Sequence, residues 1–224
     1  MLQIKATLLG ERDWFIILLF IIYLVTRIPA LLSPQCFIAA DEAVEGIMAK
    51  HILRGERPIF QYGASYGGGL AIISYIAALF FKLFGVNYLI IKVVPLMFSL
   101  AAIVLLYIFL RKHFNQKIAY LTSILLTISP PFFTMWNCKI QSYVTAMFFN
   151  ILVMFIFYEI FFKSDDVKNI LLFGLVSGIG YYNHQSMLVT LLACFMVLFT
   201  KNKKFFLDKR WLGYIVFFVL EQVP

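Results

Sequence analysis

A chain of 224 residues that is 62% hydrophobic, only 13% charged and +0.91 in mean hydropathy lies far outside the composition of soluble domains. Its formal charge of +8 is spread over short segments between apolar runs and forms no basic face, which excludes a nucleic-acid-binding domain. With 25 Phe and 12 Tyr among Ile/Leu runs and no alternating strand pattern, the expected fold is all-α, a polytopic helical membrane protein.

The amino-terminal segment 1–13 is of mixed charge, and the apolar run at 14–33 lacks a small-x-small cleavage site, so it reads as a retained first span. The next stretch, 34–68, carries Asp41, Glu42, Glu45, Lys50, His51, Arg54, Glu56 and Arg57, too many charges for lipid. Within it, 42–54 places Val44, Ile47, Met48 and Ile52 at helical spacing, with acids in the first turn, bases in the last and Gly55 as a stop. This predicts a short amphipathic helix on the membrane surface.

The run at 70–85 decides the topology. Runs at about 89–110, 118–137, 142–162, 169–183 and 187–200 leave three basic loops holding Arg111, Lys112, Lys117, Lys163, Lys168, Lys201, Lys203, Lys204, Lys209 and Arg210, ten of the nineteen bases. With Lys5 and Arg12 cytoplasmic, a crossing by 70–85 would place all ten outside, against the positive-inside rule; an interfacial or re-entrant helix there places all ten inside. About seven spans follow, the last incomplete, with a long external first loop at about 34–88 carrying two interfacial helices. Localisation is then multi-pass in the plasma (inner) membrane, amino terminus cytoplasmic.

The spans at 169–183 and 187–200 are short, some 22 Å at 1.5 Å per residue. Their turn, Tyr182-Asn183-His184-Gln185, should lie below the outer surface, sheltered by neighbouring protein. The run at 211–224 ends before completing a crossing, which suggests a piece of a longer protein. Cys36, Cys138 and Cys194 form no CxxC and no metal-ligand spacing with histidine.

Chemistry concentrates on the outer side. Asp41 and Glu42 follow the exit of the first span, where a carboxylate could take a proton from an incoming hydroxyl or hold a divalent metal beside a lipid phosphate; an aspartate there is equally an ordinary helix N-cap. The stretch Tyr62-Gly63-Ala64-Ser65-Tyr66-Gly67-Gly68-Gly69 offers free amides and two aromatics, Tyr62 and Tyr66, as a phosphate cradle or sugar platform, or else a flexible connector. Arg57 precedes it as a further candidate substrate-binding base. In the second external loop Lys139 could neutralise a lipid phosphate or snorkel, and His184 could donate to the same phosphate or be structural. Arg27 and Lys92 fall near external span ends and could snorkel as well, while Glu221 lies in the last run.

An acidic Asp41-Glu42 pair after span one, an amphipathic helix, a Tyr/Gly loop, a helix ending Leu83-Phe84-Gly85, a span closing on Arg111-Lys112 and another on Pro130 together resemble the amino-terminal half of lipid-linked-sugar glycosyltransferases. The chain resembles the family of protein O-mannosyltransferases and lipid A aminoarabinose transferases, of the GT-C fold, from about residue 12 onward. The resemblance implies transfer of a sugar from a polyprenyl-phosphate carrier to a lipid, glycan or protein acceptor at an extracytoplasmic active site. It makes Asp41 the general base, Glu42 its orienter or a metal ligand, and Lys139 or His184 a phosphate partner. It also implies a carboxy-terminal half that these 224 residues lack. The sequence departs from the family in having no His-Pro-Pro-Leu motif, Gly67-Gly68-Gly69 where aminoarabinose transferases carry a lysine, and Gln141-Ser142 where a second acid is expected. A divalent metal, the sugar and the acceptor therefore stay open. The rival expectation is a non-enzymatic transporter or flippase subunit in which Asp41 only caps a helix.

Overall fold

A computed structural model describes residues 14–33, 39–62, 71–140, 142–162, 167–201, 214–216 and 218. These are helices and short connections: α1 (Trp14–Leu32), α2 (Ala40–Leu53), α3 (Ile72–Phe84), α4 (Tyr88–His113), α5 (Gln116–Thr127), α6 (Pro131–Asn137), α7 (Ser142–Phe162), α8 (Val167–Asn183) and α9 (Met187–Lys201). The all-helical expectation holds. Three helices, α1, α4 and α7, are long and apolar enough to cross a membrane, and a bent pair formed by α5 and α6 raises this to four. Among the described residues this is fewer than the seven expected, because α8 and α9, at 17 and 15 residues, fall short of about 20, and most of the run at 211–224 lies outside the described residues.

Local signals explain where elements begin and end. The Asn87 and Asn115 side chains accept from the amides of Leu89 (3.0 Å) and Lys117 (2.8 Å), satisfying orphan donors at the starts of α4 and α5. The second helix stops at Gly55 (φ 99°) and the third at Gly85 (φ 85°), left-handed conformations that glycine adopts without steric cost.

Contacts along each helix give its direction. Phe15 meets Tyr107 (4.9 Å between ring centroids) while the Tyr23 hydroxyl donates to the Leu96 carbonyl (3.0 Å), so α1 and α4 run antiparallel. Phe98 meets Phe148 and Phe109 meets Tyr158, so α4 and α7 run parallel. Helix α1 thus ends where α4 begins, and α2 and α3 lie between them in sequence without changing ends. At 13 residues, some 20 Å, α3 is too short to span. The connections 128–130, 138–140 and 184–186 lie at this same end, called here the hairpin end. The opposite end carries Arg111, Lys112, Lys117 and Lys168, and there Lys112 (2.8 Å) and His113 (2.7 Å) both close on Glu159, joining α4 to α7.

Three expectations are corrected. The run at 118–137 is not one straight helix: α5 and α6 meet at 83°. Pro130 has no amide hydrogen and pushes Ser129 out of helical conformation, while Pro131 opens α6 at its first position. The apolar stripe Val44/Ile47/Met48/Ile52 is not the buried face of α2: Glu42, Glu45, Gly46, Met48 and Ala49 face inward, and Ile47 is 49% exposed. Asp41 is not an N-cap either. Ala39 occupies that place, and Glu42 at N3 reaches back to its amide (2.9 Å), half of a capping box.

The inward turn of α2 depends on Gly46, where an added Cβ would lie 2.7 Å from Ile91 Cδ1. Gly46→Leu is therefore expected to cost about 1–3 kcal/mol by overpacking, read as a lower thermal midpoint in micelles, with partial recovery in the Gly46→Leu/Ile91→Ala double variant.

Candidate active site

The hairpin end is organised around one buried carboxylate. Glu42 is 0% exposed and Lys92, on the first turns of α4, 2%. Lys92 Nζ donates to both Glu42 oxygens (2.6 and 2.8 Å), the Ile140 amide donates to Oε1 (3.1 Å) and the Ala39 amide to Oε2 (2.9 Å). Four hydrogen bonds from three donors on one carboxylate tie the start of α2 to α4 and to the connection between α6 and α7. Lys92 does not snorkel: a buried carboxylate within reach is a better partner than distant water.

One turn on, Glu45 is also buried (1%), with no cationic partner among the described residues. It accepts from Ser74 of α3 and from Gln61 instead. Burial pushes its carboxyl up to about 7, opposed by the Ser74 hydrogen bond. Gln61 belongs to the strap 56–62, whose Ile59 carbonyl accepts from Ala71 N–H (3.4 Å) and from the Tyr182 hydroxyl (3.0 Å). Asn183 beside it is buried and accepts from Thr145 (2.9 Å). Neighbouring protein therefore covers part of the α8–α9 turn, as its short flanking helices require; Gln185 and Ser186 stay exposed.

A cavity of about 690 Å³ opens beside that turn. It follows one face of α7 from Tyr143 to Met154, some 16 Å, against Phe132, Phe133 and Trp136 of α6. Its walls are almost wholly apolar, with Asn137, His184 and Ser186 at the hairpin end and Asn150, bonded to Thr190 (2.7 Å), further in. His184 Nδ1 accepts from the Ser186 amide (3.1 Å), which leaves the proton of the neutral ring on Nε2 as a donor. Burial pushes the imidazole below its usual range, favouring that neutral form. Lys139 is half-buried with Nζ 5.3 Å from the Trp136 ring centroid, and Trp136, Tyr143 and His184 follow one another in edge and tilted ring contacts. A trough for a long apolar chain, with a cation and a neutral donor near its polar mouth, suits an amphiphile with an anionic head.

The residues singled out from the sequence converge unequally. Asp41 is exposed beside Glu42, and Lys139 is next to Ile140, so the 3.1 Å Glu42–Ile140 bond holds Asp41 and Lys139 one residue from each of its two ends. Lys139 and His184 stand at opposite ends of the Trp136–Tyr143 ring contact. Tyr62 donates to Glu56 (2.7 Å), and Arg57 is exposed on the strap. Tyr66, Cys36 and Glu221 lie outside the described residues. Among the described residues no three His, Cys, Asp or Glu side chains group as a metal site. Glu42 does not fit the role of metal ligand, since its oxygens already hold an ammonium group that would repel a divalent cation. Sequence reasoning missed Lys92 as the partner of Glu42, although a lysine inside an apolar run and an acid at a span exit were both visible.

A helical membrane protein with an amphiphile-sized trough and a charged mouth is the class that the fold defines. The chain belongs to the dolichyl-phosphate-mannose-protein mannosyltransferase family, a GT-C glycosyltransferase family, whose sequence model matches residues 71–223. The match begins downstream of Asp41 and Glu42. No curated protein and no solved structure matches the chain.

Two outcomes follow. Lys92→Met strands the Glu42 charge and is expected to cost about 3–5 kcal/mol in unfolding measurements, largely recovered in Lys92→Met/Glu42→Gln; a stable single variant would contradict the burial argument. For Glu45, the folded carboxyl titrates near 7, above its unfolded value, so the native state holds an extra proton between those two pH values and stability falls as pH rises through that window. Glu45→Gln should match the parent near pH 4 and exceed it near pH 8, by no more than about 3 kcal/mol, in thermal melts across that range.

Proposed function

We propose that this chain transfers a sugar from a polyprenyl-phosphate carrier to an acceptor hydroxyl on the extracytoplasmic side of the plasma membrane, with inversion at the anomeric carbon. The observation that carries the proposal is the Glu42 bond to the Ile140 amide, which fixes the Asp41 turn against the Lys139 side of the trough. The family match supports glycosyl transfer from a lipid-linked donor, and the trough supports a carrier with a long apolar tail.

Orientation follows from charge. The end bearing Arg111, Lys112, Lys117 and Lys168 faces the cytoplasm, with the amino terminus, and the hairpin end faces outward. Helices α8 and α9 serve as a short pair of further spans beneath the strap, and α5 with α6 as a bent one; with the run at 211–224 these make about seven.

The carrier lays its isoprenoid tail along α7 and its phosphate at the mouth. Asp41 takes the proton of the acceptor hydroxyl as that oxygen attacks the anomeric carbon, and the bond from that carbon to the phosphate oxygen breaks on the opposite face. The departing polyprenyl phosphate keeps the electron pair, and its charge is met by the Lys139 ammonium and the His184 Nε2–H. Glu42, anchored by Lys92, orients the Asp41 turn. Tyr62 and Arg57, on the strap, contact the sugar or the acceptor, and Tyr66, outside the described residues, serves as a further sugar contact. The acceptor is a lipid, glycan or protein hydroxyl. Proton and leaving group are both handled by these side chains, so no step passes through a metal.

Asp41 is exposed and holds up no core, so Asp41→Asn should insert and accumulate like the parent. Transfer of label from a polyprenyl-phosphate sugar in membranes carrying the variant is expected to fall at least about 100-fold. Undiminished transfer by an accumulated Asp41→Asn protein would refute the assignment.

A further inference from the structure

A second cleft, of about 560 Å³, opens at the break between α5 and α6. Its walls include Leu125 and Leu126 of α5, Ser129 and Pro130 of the break, and Phe132 and Phe133 of α6. Phe132 and Phe133 also line the trough along α7, so α6 forms a wall of both. Leu125 is 64% and Phe132 73% exposed, which opens this cleft to the surrounding hydrocarbon rather than to another part of the fold.

Behind the cleft lies an unusual cation. Arg27 is 1% exposed. Its Nη1 donates to the Thr127 carbonyl and to Thr26 Oγ1 (2.7 Å), its Nη2 to Ser129 Oγ (3.4 Å), and its guanidinium carbon stands 4.5 Å from the Tyr23 ring centroid. Its Nε is buried without a hydrogen-bond partner, and none of these neighbours is anionic. A guanidinium never gives up its proton, so the site carries a full positive charge in apolar surroundings with no counter-charge among the described residues. Carbonyl and ring contacts offset part of that cost, not all of it. Ser129 is common to Arg27 and the cleft wall, so an anion at Ser129 would lie within the field of Arg27. The depth suits a headgroup: Arg27 is five residues before the end of α1, some 8 Å below it.

We propose that this cleft is a binding site for an anionic glycerophospholipid, one acyl chain lying against Leu125, Pro130 and Phe132 and the phosphate at Ser129, balancing Arg27. The apolar wall open to hydrocarbon selects a lipid chain, and the uncompensated cation selects negative over zwitterionic headgroups. The trough along α7 remains the place of the sugar carrier. This site is independent of the glycosyl-transfer reading.

The test uses the full chain in phosphatidylcholine vesicles, with its three tryptophans replaced by Phe and Leu125→Trp as sole fluorophore. Brominated phosphatidylglycerol and brominated phosphatidylcholine are added at matched mole fractions. Phosphatidylglycerol is expected to quench with about fivefold higher apparent affinity, the worth of one cation near a lipid surface. The preference should vanish in Arg27→Gln and persist in Arg27→Lys and in Asp41→Asn, the last separating this site from the catalytic proposal. Equal quenching by the two lipids with Arg27 intact overturns the inference, whether or not Arg27→Gln accumulates. A preference surviving in Arg27→Gln overturns it too, as does quenching relieved by unbrominated polyprenyl phosphate but not by unbrominated phosphatidylglycerol.

Discussion

The contact between Glu42 and Lys92 governs the hairpin end. Withdrawing a carboxylate and an ammonium from water is costly, and a buried pair offsets that cost only when the remaining lone pairs are also satisfied. Here the Ala39 and Ile140 amides supply what Lys92 leaves open, so the carboxylate accepts four hydrogen bonds. The position of α2 follows. With Glu42 committed inward, the rest of the inward face must be small, acidic or apolar: Glu45, Gly46, Met48 and Ala49. Asp41, one residue before Glu42, is thereby turned outward. A helix held only by its apolar stripe would have buried Ile47 and turned Glu42 to solvent.

A second constraint is the break at Pro130. In an apolar medium free backbone groups must find partners within the protein. Arg27 donates to the Thr127 carbonyl and Thr134 Oγ1 to the Ser129 carbonyl (3.1 Å), so side chains satisfy acceptors that a continuous helix would have bonded itself. The bend also turns Phe132, Phe133 and Trp136 across the bundle, which creates the apolar wall of the trough. A straight helix over 118–137 would have left no such wall. The catalytic proposal and the lipid-site proposal thus both depend on one pair of prolines, the trough lying between α6 and α7 and the cleft between α6 and α5.

Much of this architecture is legible in the chain. The apolar runs become α1, α4 and α7 nearly at their expected limits, because a segment that must satisfy its backbone in lipid has no alternative to helix. Gly55 and Gly85 mark the ends of α2 and α3 because a left-handed terminal residue is a local requirement. Helix α1 ends where α4 begins, and of the ten loop bases Arg111, Lys112, Lys117 and Lys168 are gathered at the opposite end. Partner choice is not local in this way. The pairing of Glu42 with Lys92 spans fifty residues, and that of Arg27 with Thr127 one hundred. Lys92 and Arg27 both read as charges that could snorkel, because a sequence shows a charge near a span end but not what stands opposite.

The sequence by itself therefore determined the helical membrane class, the positions of the long spans, the ends of the short helices and the family, since each rests on composition or on interactions within a few residues. Tertiary structure alone decided which face of α2 is buried, that 118–137 bends, and that His184 lines one trough together with Trp136, the ring beside Lys139. These depend on side chains and backbone groups brought together from distant segments, where a buried charge must find its partner.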